Sequence, residues 1–308
     1  MKRLDGGADV PAPWRAGIVA LGNFDGFHLG HQAVVARARA RAVAEGRPLI
    51  VATFDPHPVR YFKPDAPPFR LTTLDQRARL FAEAGADAMA VFDFDAALAS
   101  LSAADFVAER LVARLGVAGV VTGDDFTFGQ ARGGDVALLR ALGTQHGFSV
   151  DTVGAVAEGD EVVSSSRIRA LLAAGDPRGA AALLTRPFAI EGVVQHGDKL
   201  GRTIGYPTAN VALGSYLRPA YGIYAVRVRL DDGRMVSGAA NLGIRPSFDP
   251  PKELLEAYLF DFAEDLYGRT IEIALIDYLR PEAKFDSLDA LTAQMDADCA
   301  AARVVLGG

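Results

Sequence analysis

Through its first half the chain sets short apolar runs against longer stretches with helical periodicity. Ala16–Leu21 is apolar with no helical spacing, as expected for a strand buried on both faces. In His31–Glu45, by contrast, Val34, Val35, Ala38 and Ala42 fall on one helical face. The run Leu49–Thr53 comes next, followed by a proline-rich loop over Asp55–Pro68. The alternation then repeats, with helices predicted over Leu74–Ala84, Ala103–Leu115 and Asp135–His146. Strands are predicted over Ala88–Phe92, Val117–Thr122 and Phe148–Val153. This order predicts a parallel sheet covered by helices, in which ligands sit at the carboxyl ends of the strands.

A helix over Ser164–Ala174, opened by three hydroxyl residues suited to capping, and another over Pro177–Leu184 lead to Thr185-Arg186-Pro187. There the texture changes. Ala189–Val194, Ile223–Leu230, Met235–Ala239, Leu255–Phe260 and Ile271–Leu279 read as strands without helices between them, and Asp231-Asp232-Gly233 is a hairpin signal. A helix over Leu288–Val305 closes the chain. The second half therefore predicts an antiparallel barrel or sandwich, and the boundary divides the chain into domains 1–186 and 187–308.

Composition narrows the function classes. Of 308 residues, 50% are hydrophobic and 23% charged, which excludes a chain too polar to fold. The net charge of −6 repels phosphate backbones at long range and argues against nucleic-acid binding. No apolar run approaches the ~20 residues of a membrane helix, and an acid at Asp5 interrupts any leader-like start. The single cysteine, Cys299, can form neither an internal disulfide nor a thiolate zinc site. These features predict a soluble cytoplasmic protein without a membrane partner; they carry no signal for self-association.

The densest chemistry lies in Gly22-Asn-Phe-Asp-Gly-Phe-His-Leu-Gly-His31, between the first strand and the first helix. His28 and His31, two of only five histidines, are three apart at a helix start, where imidazoles and unpaired N–H groups can meet a phosphate. Gly22, Gly26 and Gly30 permit close backbone approach. Three further segments suit the same site: Thr53-Phe-Asp-Pro-His-Pro58 with His57, Thr122-Gly-Asp-Asp-Phe-Thr-Phe-Gly129, and Ser164-Ser-Ser-Arg-Ile-Arg169. The last offers hydroxyls and two guanidiniums to a triphosphate. Taken singly, each also fits a plainer role, Phe126 and Phe128 as packing and the arginines as solvated helix residues.

The second half opens with Gly192-Val-Val-Gln-His-Gly-Asp-Lys-Leu-Gly-Arg-Thr-Ile-Gly-Tyr-Pro-Thr-Ala-Asn210. Its glycines, with Lys199 and Arg202, suit a phosphate-wrapping loop, although it is not a Walker A sequence. Thr208 and Asn210 are neutral oxygen ligands on one side of an extended segment, as Mg²⁺ prefers, or else part of a capped turn. Asn241–Phe248 reads as a loop between strands. Glu256 stands inside an apolar strand, either on its solvent face or as a base at a site.

Taken together, GNFDGFHLGH, TGDDFTFG, SSSRIR, GDKLGRTIGYPTAN, YGIYA, NLGIRPSF and DLYGR resemble, in order, the bacterial bifunctional riboflavin kinase/FMN adenylyltransferases. The resemblance spans about Ile18 to Leu306. It implies an α/β chain with a Rossmann-like nucleotidyltransferase domain and a six-stranded antiparallel barrel kinase domain ending in a helix. It implies ATP, riboflavin and FMN as substrates, with Mg²⁺ as cofactor. His28 and His31 would stabilise the reacting α-phosphate, and Glu256 would be the base on the ribityl 5′-hydroxyl. ATP would meet Gly22, Phe24, Asp25, Gly30, Ser164, Ser165 and Arg167 in one domain and Gly197, Lys199, Gly201 and Arg202 in the other. The flavin would meet His57, Asp125, Phe128, Asn241 and Arg245, and the metal Thr208 and Asn210. Ser166 and Ser247 replace the family's usual Thr, and Asp125 puts a charge near an anionic phosphate. HLGH also resembles the HIGH motif of class I aminoacyl-tRNA synthetases, but no KMSKS-like segment accompanies it. A flavin-binding regulator, or a kinase carrying an inert first domain, are the other readings.

Overall fold

The computed structural model describes residues 1–4, 10–196, 205–245 and 252–307, with Arg245 and Lys252 described in backbone only. By internal contacts the chain forms two compact units, one of Met1–Ala66 with Thr73–Ser164, the other of Pro67–Thr72 with Ser165–Gly308.

In the first unit, β1 (Lys2–Leu4), β2 (Ile18–Leu21), β3 (Leu49–Asp55), β4 (Ala88–Asp93), β5 (Gly119–Gly123) and β6 (Ser149–Val153) form one sheet in the order β1-β4-β3-β2-β5-β6. Every pairing is parallel. Both faces are buried because successive residues of β2 serve different cores. Val19 and Leu21 join Ile50, Phe92 and Leu111 on one side, and Ile18 and Ala20 join Val35, Ala38 and Phe81 on the other. Helix α1 (Leu29–Glu45) covers the second face with the predicted stripe Val34, Val35, Ala38 and Ala42. The proline-rich segment holds a short helix, α2 (Pro58–Phe62), which sequence reading left as loop. His57 caps it and Pro58 occupies its first turn, where no N–H is needed. Helix α3 (Leu74–Glu83) starts in a capping box between Thr73 and Gln76. Helices α4 (Ala96–Ser100), α5 (Ala103–Asp105) and α6 (Val136–His146) follow, β7 (Ala157–Glu158) pairs with β8 (Glu161–Val162), and α7 (Ser165–Ala173) and α8 (Pro177–Leu184) belong to the second unit. Because β2 lies between β3 and β5, the strand order reverses there, and the loop after β2 leaves the sheet at its switch point.

The second unit contains a closed antiparallel barrel of β9 (Phe188–Gln195), β10 (Thr208–Ala212), β11 (Gly222–Arg229), β12 (Met235–Arg245), β13 (Lys252–Leu259) and β14 (Thr270–Arg280). In one interior row Ala209, Ala257 and Ala240 stand in register with Tyr224, which is fully buried. Small residues leave room for one large ring, a usual solution in narrow barrels. The loop expected at Asn241–Phe248 is corrected in its first part. Asn241–Arg245 continue β12, because they pair with β13 on one side and Leu242 and Asn241 pair with β11 on the other. The ladder with β13, which runs through Gly243 to Arg245, outweighs the weak strand character of that glycine. The terminal helix α9 (Leu288–Leu306) packs Ala302 and Leu306 on Ala225, Ala239 and Phe260. Arg280 grips Asp298 of this helix through two bonds of 2.7 and 2.6 Å. Within the same unit, residue Arg70 pairs with the segment around Tyr216 by backbone bonds to Ser215 and Leu217.

Candidate active sites

Polar side chains buried in the first unit concentrate around the loop after β2. Asp25, His28, Thr53, Arg77 and Thr122 are all 6% exposed or less, and the only other buried polar side chain described in this unit is Gln76, in the capping box of α3. Thr122, on β5, donates to the Leu21 carbonyl at 3.0 Å, and Thr53, on β3, donates to the Asn23 carbonyl at 2.8 Å. The two neighbouring strands thus pin the departing chain from both sides. Beyond Asn23 the loop turns through left-handed backbone at Phe24 (φ 51°) and Phe27 (φ 44°), a conformation that bulky residues adopt only when their surroundings impose it. The Phe24 ring is 1% exposed and stands edge-on to Phe81 and to His31. A Cβ on Gly22 would come within 3.1 Å of that ring, which accounts for the glycine.

His28 caps α1 from extended backbone, and its ring lies 3.6 Å from that of His31 with 20° between the planes. Gly30 makes room for the stack: a Cβ there would stand 3.2 Å from His28 and 3.7 Å from the Val163 carbonyl. His57 accepts from the Val59 N–H through Nδ1, so Nε2 carries the proton of its neutral ring. Asp125 folds back over Gly123, within 2.8 Å of where a Cβ would be. Phe128 is 6% exposed inside the core against Phe106, and Phe126 stacks on it from the half-buried side. Ser164 ends the first unit; Ser165 and Arg167 lie on α7 (Ser165–Ala173) and are counted with the second. Arg169, offered by sequence for a triphosphate, donates through Nε to the Phe69 carbonyl and lies over the Phe69 ring.

In the barrel unit, strand register assembles the site. Asn210 on β10 pairs with Glu256 on β13, and Glu256 pairs with Asn241 on β12. Residues directly opposite in an antiparallel ladder share a face, so these three form one outward row. Thr208, two residues along, shares that face and its hydroxyl lies 3.3 Å from Asn210 Oδ1. Asn210 is 5% exposed, and the Oδ1 of Asn241 is buried with no hydrogen-bond partner among the described residues. One row on, Tyr258 meets Tyr206, whose hydroxyl donates to Asp296 of α9. Helix α9 therefore borders the row. Gly197, Lys199, Gly201 and Arg202 lie outside the described residues, and Arg245 ends β12 with its side chain undescribed.

The sequence reading missed three features. A cavity of about 490 Å³ opens beside Thr208, walled by Val194, Leu259, Phe262 and Leu266. Asp265, Leu266 and Tyr267 of the DLYGR segment also line it, but a cavity cannot be read from that motif, because its other walls come from separate strands and turns. In the first unit, Tyr61, Phe62 and Phe94 form an aromatic cluster with ring centres 5.1–5.8 Å apart, and Phe62 is 63% exposed. A solvent-facing phenylalanine in a proline-rich loop was its one visible signal. Finally, Glu253 accepts from Arg218 and Tyr221, tying the YGIYA turn to β13. Arg218 holds the Glu253 carboxyl below its usual range, while burial and Glu253 push Tyr221 up to about 12.

Residues 10–167 match the family model for FAD synthetase, and residues 184–306 match that for riboflavin kinase. The bifunctional riboflavin kinase/FMN adenylyltransferase of Escherichia coli (strain K12) is 40% identical over 296 residues, covering 96% of this chain and 95% of that protein. The protein of the same name from Pseudomonas fluorescens is 44% identical, covering 94% and 93%. A crystal structure of a Streptococcus pneumoniae chain named as a macrolide-efflux protein superposes with a TM-score of 0.86 at 32% identity, covering 97% of each chain. Among the described residues here, no helix is long and apolar enough to cross a membrane. A nucleotidyltransferase-type parallel sheet followed by a riboflavin-kinase barrel is the class that fold and matches define together. The chain belongs to the bifunctional riboflavin kinase/FMN adenylyltransferase family.

Proposed function

We propose that this enzyme makes FAD from riboflavin in two steps, with residues 187–308 phosphorylating riboflavin and residues 1–186 adenylylating FMN. In the first step the riboflavin 5′-hydroxyl attacks the γ-phosphorus of ATP and ADP leaves. Glu256 takes the hydroxyl proton, and Asn241 offers its buried carbonyl oxygen to a flavin donor on the same row. The cavity beside Thr208, walled by Val194, Leu259, Phe262 and Leu266 with Glu264 and Asp265 at its edge, takes the adenine, which places the phosphates toward Thr208 and Asn210. These two neutral oxygens, 3.3 Å apart, would hold a hard divalent cation, which prefers oxygen ligands. When bound, Mg²⁺ would neutralise charge on the transferring phosphoryl group. Lys199 and Arg202, with Gly197 and Gly201, would cover the triphosphate, and Arg245 would meet the flavin.

In the second step a phosphate oxygen of FMN attacks the α-phosphorus of ATP and pyrophosphate leaves. His28 and His31, at the N-terminus of α1, donate to the α-phosphate as its charge builds. Gly22, Asp25 and Gly30 shape the loop around it, with Phe24 supporting His31 from below. Ser164, Ser165 and Arg167 hold the outer phosphates. His57, Asp125 and Phe128 line the flavin side, and the exposed ring of Phe62 offers the isoalloxazine a stacking face. ATP use and the lone cysteine support a cytoplasmic setting.

The observation that supports this reading best is the pair of dissimilar polar assemblies on one chain, a histidine loop at a sheet switch point and a Thr-Asn-Glu row on a barrel. Purified protein with riboflavin and Mg-ATP, followed by flavin chromatography over time, tests it. FMN first and FAD later is expected; FMN alone would leave the first domain inactive, and neither product would favour a flavin-binding regulator.

A further inference from the structure

Arg77 is the one arginine that is buried among the described residues, with its side chain 3% exposed. A charged guanidinium held out of water has to be met by acceptors. Its Nη1 donates to the Asn23 carbonyl at 3.0 Å and to Thr53 Oγ1 at 2.8 Å, and Nη2 lies 3.8 Å from Asp55. Asn23 begins the loop that carries His28 and His31, whereas Thr53 and Asp55 lead to His57. One side chain thus ties the loop after β2 to the carboxyl end of β3. Four residues further along α3, on the same helical face, Phe81 packs edge-on against Phe24 and Phe27 at 5.8 and 5.1 Å. The helix therefore holds the loop at both ends of its left-handed turn, by charge at Asn23 and by aromatic contact at Phe24 and Phe27. The capping box at Thr73 and Gln76 fixes where that helix starts.

We infer that Arg77 is a positioning residue for adenylyl transfer: it fixes the Asn23 carbonyl and through it the placement of the histidine pair against the α-phosphate. The inference rests on the proposed role of His28 and His31. Its test measures FAD formation and riboflavin phosphorylation separately in the full chain, since the second activity reports on a unit that does not contain Arg77. Arg77→Met is expected to lower kcat for FAD formation by about 30- to 100-fold, with KM for ATP and FMN within about threefold and FMN formation unchanged. Arg77→Lys should recover about tenfold of that loss, since it keeps a donor but lacks the fork. Thr53→Val, which removes the hydroxyl and keeps the shape, should lower the same kcat. The double variant should be no worse than about twofold below Arg77→Met, because the two act on one carbonyl. Adenylyl transfer within about threefold of wild type in Arg77→Met, while H28A/H31A abolishes it, overturns the inference. So does an equal loss in the Lys and Met variants matched by equal losses in thermal stability, which would mark Arg77 as structural only. Intact FAD formation in H28A/H31A would overturn the underlying reading and the inference with it.

Discussion

The two units place their polar groups by opposite means. In the first, a single loop leaves a parallel sheet where the strand order reverses, and its chemistry comes from ten consecutive residues. In the second, Asn210, Glu256 and Asn241 come from three strands and meet only because antiparallel register sets them opposite one another. The loop depends on local restraint, namely the threonines at its base and the rings beneath it. The row depends on pairing across the whole barrel. A slip of one residue in β13 would turn Glu256 inward and Leu255 outward. The loop can be damaged piecemeal, whereas the row is kept or lost with the fold.

The largest expected effect tests whether the loop serves one reaction alone. His28→Ala with His31→Ala should reduce FAD formation by at least about 10³-fold and leave FMN formation within about twofold, assayed by flavin chromatography. Equal losses in both would erase the distinction between the sites. On the other side, Glu256→Gln should slow riboflavin phosphorylation by several hundredfold, within the usual range of about 10²–10⁴ for a general base, while added FMN is still adenylylated normally. A third variant probes how far the row relies on its neighbouring helix. Asp298→Ala leaves Arg280 without its carboxylate and should destabilise the barrel unit by about 3 kcal/mol in urea unfolding, with the first unit's transition unmoved. The smallest effect is the most discriminating. Because Asn241 Oδ1 has no partner to lose, Asn241→Ala should leave stability nearly unchanged yet lower kinase kcat/KM by about tenfold. A large loss of stability there would make Asn241 a structural member of the ladder.

This contrast also explains what could be read before the fold was known. The histidine pair, its glycines and the adjoining helix were legible because they are contiguous and the helix stripe is regular. Five of the six strands of the parallel sheet are legible for the same reason, each being one short run; β1 is not, since two of its three residues, Lys2 and Arg3, are charged. Asn241 was read as loop because Gly243 and Pro246 break the apolar pattern, and only pairing on both edges keeps the strand going. Thr208–Ala212 carried no strong strand signal of its own. Glu256 could be assigned a role only by family resemblance, because alternation alone also allows a solvated carboxylate. Arg77 was invisible: in an amphipathic helix an arginine reads as surface, and nothing in the sequence says that α3 turns this one toward two loop carbonyl and hydroxyl groups.

Between Ala66 and Thr73 the chain leaves the first unit, pairs Arg70 beside Tyr216, and returns. Because of that short detour the two catalysts are not cassettes. A gene cut at 186 would separate the barrel from the segment Pro67–Thr72, which it holds through two backbone bonds at Arg70, as well as from the helices over Ser165–Ala173 and Pro177–Leu184. No single breakpoint yields both bodies whole. Fission of such a gene, or exchange of one half for a foreign one, would have to repair a seam written inside the other half, which favours inheriting the two activities together.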